Sequence, residues 1–188
     1  MEEVSFWGLE PADELANDPC HDAENFACKI LKVRESPNRG DIRALFNMLP
    51  HETPPRGDGA GATFSCGMYA QGSLRGLRVG SRKFPHSCQV LTAMVRKCAP
   101  SHSFTSLNLF FNVKTALHID VNNEQLPNII IGISDFRGGQ VLGENPRGSH
   151  VISTASGDAR ADLLEVAGTY AVFDAYRLRH ETVDWIGD

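Results

Sequence analysis

Long apolar runs are missing from this sequence. The longest, such as Ile129 to Ile133, are strand-sized, whereas a bilayer-spanning helix needs about 20 apolar residues. Basic residues are missing from its start: Met1 to Glu10 holds three acids and no Lys or Arg, the wrong charge for a secretory signal. An intracellular protein is therefore expected, with nucleus and cytoplasm left open. No CxxC pair occurs among the five cysteines (Cys20, Cys28, Cys66, Cys88 and Cys98), and their number is odd. That argues against a zinc knuckle or a disulfide framework and leaves reduced thiols, some of them buried. Internal repeats and low-complexity tracts are absent as well.

What is there fits one globular domain. A chain of 188 residues, 41% hydrophobic and 22% charged, lies in the ordinary soluble range and can bury roughly two-thirds of its unfolded surface. The net charge of −5 hides an asymmetry. Met1 to Asn25 carries eight acids and no Lys or Arg, whereas Arg56 to Cys98 carries seven bases and one acid, Asp58. A one-sided basic stretch is either an electrostatic footprint for nucleic acid or a partner for the acidic amino-terminal segment.

Residues 1–55 read as an acidic helical segment and residues 56–188 as a β-rich core with a supporting helix near 87–98. Pro11 to Leu15 opens like a helix, with Pro followed by acids. Asp41 is a candidate N-cap for Ile42 to Leu49, whose apolar residues recur at helical spacing. Pro50 to Gly61, rich in Pro and Gly, reads as a loop or subdomain boundary. From Phe104 onward the period becomes two. Strands are expected over Phe104 to Val113, Thr115 to Val121, Asn128 to Ser134, His150 to Thr154, Leu163 to Val166 and Thr169 to Tyr176. Phe136 to Gly139 reads as a turn, and Gly157-Asp158 and Gly168 as punctuation. Many short strands with no helix between them predict an antiparallel sandwich or barrel.

One His-x-Asp occurs, His118-Ile119-Asp120. On a strand, residues two apart share a face, so this imidazole and carboxylate can grip one ion. His180 is placed just beyond the last expected strand. Two histidines and a carboxylate make the facial triad that favours non-haem Fe(II) and leaves three positions open. The bland alternative is a hydrogen-bonded His118–Asp120 pair on a strand, with His180 an exposed terminal residue.

Ser106 to Asn123 resembles the metal-binding hairpin of iron(II)/2-oxoglutarate-dependent dioxygenases. Ile129 to Gly139, a buried strand followed by Asp-Phe-Arg-Gly-Gly, resembles their next hairpin, and Phe173 to Gly187 the segment that carries the distal histidine. The order is similar to that of a divergent algal and protist branch, often attached to mobile elements and distantly related to the TET and J-binding-protein nucleobase oxygenases. The resemblance spans residues 63–188. It implies a double-stranded β-helix of jelly-roll or cupin type. His118, Asp120 and His180 would be the iron ligands, with 2-oxoglutarate and O2 as cosubstrates. Asn108 matches a position that often helps hold 2-oxoglutarate; the alternative is a strand residue bonded to a neighbour. Asn122 and Asn123 face substrate or serve a turn.

The family places a basic residue about nine positions after the distal histidine, to pair with the far carboxylate of 2-oxoglutarate. Here that position follows Asp188, and Arg177 and Arg179 precede His180, so either a fragment or a domain without its clamp and closing strand is expected. The function implied is hydroxylation or demethylation of a macromolecule, nucleic acid ahead of protein. The competing readings are a zinc-type metallohydrolase on the same ligands and a non-catalytic relic.

Overall fold

The computed structural model describes residues 21–33, 36–54, 61–71, 74–121, 123 and 126–187; the helix start expected at Pro11 to Leu15 lies outside them. In chain order the elements are α1 (Asp22–Val33), α2 (Arg39–Met48), β1 (Ala62–Gln71), β2 (Leu74–Leu77), α3 (Val79–Lys83), α4 (Pro85–Cys98), β3 (Ser106–Phe111), β4 (Asn128–Ile131), β5 (Phe136–Gly138), β6 (Val141–Glu144), β7 (His150–Thr154), β8 (Gly157–Leu164), β9 (Tyr170–Phe173), β10 (His180–Thr182) and β11 (Trp185–Gly187). The protein is mainly β, and its strands pair antiparallel. Among the described residues no helix is long and apolar enough to cross a membrane.

Two helix starts have a clear chemical cause. Asn38, not Asp41, caps α2: the Asn38 side chain accepts from the Asp41 N–H at 3.0 Å, and Asp41 accepts from the Asn38 N–H at 2.8 Å. Asp41 is thus the third helical residue of a capping box, and the helix starts earlier than its apolar period suggests. The amino terminus of α4 is capped from far away. Glu24, buried on α1, accepts from the Ser87 N–H at 2.8 Å, the Ser87 hydroxyl at 2.6 Å and the His86 N–H at 2.9 Å. An anion there satisfies orphan N–H groups and opposes the helix dipole.

Glu24 therefore pairs with a helix end and His86, not with a Lys or Arg of the basic stretch. Among the described residues no Lys or Arg of that stretch forms an ion pair with the acidic amino-terminal segment. Arg96 donates to the Pro100 and His102 carbonyls at 3.1 and 2.7 Å and lies over the Phe104 ring, and Lys97 donates to the Pro37 carbonyl at 3.1 Å.

α1, α2 and α4 pack on β1 and β3 around Ala23, Ala27, Ile42, Leu45, Phe64, Cys66, Val90 and Leu91, with Leu107 and Leu109 at the margin. Burying a side chain such as Leu45 or Phe64 contributes roughly 1.5–3 kcal/mol. β1 and β2 carry no clear period-two signal. At Gly67, φ is 92° and an added Cβ would sit 2.3 Å from the Thr105 carbonyl oxygen. The strand needs a glycine there to meet β3, and the alternation is lost at that point.

The remaining strands form a four-stranded sheet, β10-β6-β8-β7, and two pairs, β11-β5 and β4-β9. Two small clusters fill them, one around Val141, Val166, Ala171, Phe173 and Ala175, the other around Leu142, Ile152 and Ala161. The strand expected at Leu163 to Val166 is the end of the longer β8, which leaves a tight turn from β7 through Gly157 at φ 110°. Phe136 to Gly138 pairs with β11 where a turn was expected. Its glycines serve close approach: a Cβ on Gly138 would meet the Asp184 carbonyl oxygen at 2.4 Å.

Candidate metal centre

His118 and His180 form an isolated antiparallel bridge. Each backbone N–H donates to the other's carbonyl, at 3.0 and 2.9 Å. Directly opposed residues of such a pair share a face, so one reciprocal pair brings two sequence-distant imidazoles together, ring centroids 4.2 Å apart. Asp120 follows on the same side, its N–H donating to the Ala175 carbonyl at 2.9 Å. Nε2 of His118 lies 3.5 Å from one Asp120 carboxylate oxygen, and Nε2 of His180 lies 4.0 Å from the other. One ligand atom from each residue fits within a 4.8 Å span.

Hydrogen bonds fix which nitrogen faces inward. Nδ1 of His118 lies 2.7 Å from the Ala116 carbonyl oxygen, and Nδ1 of His180 lies 3.0 Å from that of Leu178. A carbonyl only accepts, so in the neutral rings Nδ1 carries the proton and Nε2 offers its lone pair. Asn123 donates to Asp120 at 3.3 Å and to the Asn128 side chain at 3.1 Å, which orients the carboxylate. The Phe173 ring meets His180 edge-on, centroids 5.0 Å apart. His180 is 6% exposed and forms the wall of the site, while His118 and Asp120 are partly open to solvent. Donors about 2.1 Å from one ion and at right angles stand about 3 Å apart. The cluster is somewhat wider than that, a gap within the reach of side-chain rotation. The donor set fits a divalent transition ion.

The three predicted ligands thus lie together, by a route the period did not show. A continuous strand over Thr115 to Val121 was expected, but the structure has one bridge at His118. The Thr182 N–H donates to the Thr115 carbonyl, and from there to the His118–His180 pair the first segment takes one residue more than β10. That is the arithmetic of a bulge, a device common beside functional sites. His180 opens β10 instead of following the last strand, and it is buried, not exposed. Asn108 stands exposed on β3, opposite Ser65, with no side-chain hydrogen bond among the described residues. Asn122 lies outside those residues. Phe173, Ala175 and Leu178 support the site without any chemical signature of their own; only the resemblance drew attention to Phe173.

Two cations near the triad are engaged. Arg179 grips Glu144 with two hydrogen bonds of 2.8 Å, which holds the Glu144 carboxyl below its ordinary range and the guanidinium above its own. Lys114 pairs with Asp184.

No family model, curated protein or solved structure matches this chain.

Proposed function

We propose that this chain is the core of an iron(II)/2-oxoglutarate-dependent dioxygenase with a double-stranded β-helix fold, hydroxylating or demethylating a macromolecule, nucleic acid ahead of protein. The observation that carries the reading is His118, Asp120 and His180 within a 4.8 Å span, with both histidine Nδ1 atoms against backbone carbonyls. Two nitrogens and one carboxylate on one face are the donor set of a non-haem Fe(II) site with open positions. Bound there, iron with 2-oxoglutarate and O2 supplies oxidative decarboxylation to succinate and carbon dioxide, coupled to oxidation of a C–H bond.

The chain's own residues have separate tasks. The bridge sets the spacing of the two imidazoles, the Ala116 and Leu178 carbonyls hold their tautomers, and Asn123 steers the carboxylate. Buried Phe173 and His180 shield one side from water. Asn108 is the candidate for a hydrogen bond to 2-oxoglutarate. A zinc hydrolase on the same ligands would need a general base beside them. In the same sheet Asp162, in the row of His180, accepts from the Asn145 amide and Glu144 is held by Arg179, so two candidates for that base are already engaged, which favours the oxygenase.

The test is anaerobic titration with Fe(II), followed by succinate release from 2-oxoglutarate in air. Tight iron binding with turnover above that of Asp120→Ala supports the reading. Zn(II)-dependent ester or phosphodiester hydrolysis without succinate would replace it with the hydrolase, and iron binding without turnover would favour the relic.

A further inference from the structure

The basic stretch builds a second site, away from the triad's own side chains. α3 seats directly on β1: a Cβ on Gly80 would lie 2.2 Å from the Ser65 carbonyl oxygen. That close approach holds Arg78 and Arg82, four apart and therefore on one side of the turn, over a hollow of about 460 Å³ that Ser65, Tyr69 and Glu52 also line. Neither guanidinium has an ion-pair partner or a side-chain hydrogen bond among the described residues. Nε of Arg78 is buried with no hydrogen-bond partner. Two like charges at this spacing repel, and a buried charged donor without an acceptor is costly. An oxyanion between the two guanidinium ends would relieve the repulsion.

The aromatic wall says what carries the oxyanion. Tyr69 on β1 is paired directly with Gly76 on β2. A Cβ on Gly76 would meet Tyr69 Cε1 at 3.0 Å and Cζ at 3.2 Å, so the ring lies down over the glycine backbone. The Tyr69 residue stays 40% exposed, which leaves ring surface open beside the hollow. A guanidinium pair next to an open aromatic face is the combination that tracks a single strand: phosphate on the cations, base on the ring. We propose that this hollow binds a single-stranded nucleic acid, holding one backbone phosphate between Arg78 and Arg82 and stacking the neighbouring base on Tyr69. Glu52, the only carboxylate of the lining among the described residues, opposes the phosphate and keeps the grip weak. This rests on the nucleic-acid part of the function proposed above and is independent of its metal.

The experiment is fluorescence anisotropy with a labelled single-stranded DNA of about 12 nucleotides. It uses the full chain in EDTA, repeated with His118→Ala, so that failure of the metal reading leaves the result untouched. Arg82→Gln is expected to weaken binding about tenfold and to lower the slope of log K against log salt by about 0.7, the share of one phosphate contact. Tyr69→Ala is expected to weaken it about tenfold through lost stacking, Glu52→Gln to strengthen it, and a duplex of the same sequence to bind less well than the strand. Equal binding by wild type, Arg82→Gln and Tyr69→Ala would overturn the site. So would protection by inorganic phosphate in a thermal melt without any binding of the strand, or a duplex bound as tightly as the strand.

Discussion

The helical half and the β half of this protein are packed to different standards. Around α1, α2 and α4 the core is continuous, and Ala23, Ala27, Leu45 and Val90 have no exposure at all. Around the triad the apolar side chains fall into two small clusters. Burial is the main source of stability, so most of it belongs to the half without the ligands. The site is held by a few long-range hydrogen bonds on a thinly packed sheet. That division would suit the proposed oxygenase, whose centre would have to admit an ion, a cosubstrate and a large substrate.

The largest expected effect tests the thin half. Asp120→Ala or His118→Ala should lower Fe(II) affinity a hundredfold or more in an anaerobic calorimetric titration, about 3 kcal/mol, because two ligands do not make a facial triad. Full affinity in both variants would put the metal elsewhere.

Core truncations should separate the halves. Leu45→Ala is expected to cost about 4 kcal/mol in urea unfolding, since a continuous core cannot collapse around the cavity, and Ile152→Ala about 2 kcal/mol, at the yielding end of the usual range. The reverse order would mean that the β half is the better packed. Asn123→Ala removes only the group that orients Asp120, so metal affinity should fall about tenfold with little change in stability.

The Arg179–Glu144 pair gives a pH signature. Glu144 is lowered below its ordinary value by the two Arg179 hydrogen bonds. Its contribution to stability is therefore present above the ordinary glutamate range of about 4.3 and is lost as the pH falls through the lowered folded value. The stability gap between wild type and Arg179→Gln should accordingly be widest near neutral pH and close in acid; a gap independent of pH would show that the guanidinium acts through packing. The smallest effect expected is that of Asn108→Ala, a severalfold rise in the KM for 2-oxoglutarate with kcat unchanged, read from initial rates of succinate release.

Comparison of sequence and fold shows where local pattern stops. The α4 helix and β3 were legible because each carries a clean period, at Val90, Leu91, Met94 and Val95 and at Leu107 and Leu109. The α2 cap was misassigned because Asn38 and Asp41 are both good caps, and only backbone geometry tells the capping residue from its return partner. β1 was illegible because Gly67 interrupts it. Glu24 stood only as one of the eight acids of the amino-terminal segment, since nothing local reveals a helix terminus more than sixty residues downstream as its partner. The ligands were named from residue type and order, but what presents them, a one-residue irregularity before His118 and two carbonyl contacts, is backbone geometry that side-chain pattern does not record.

The reciprocal bond between His118 and His180 also has a kinetic consequence. It closes a loop of some sixty residues, and such contacts form late, after the entropy of closure has been lost. An ion bound across that closure grips the native state and has little hold on the transition state before it. Metal should therefore act as a latch, slowing the opening of the carboxy-terminal strands while leaving the folding rate almost unchanged. Removal of such an ion would then leave a protein that refolds as fast as before but opens, and meets proteases, more often.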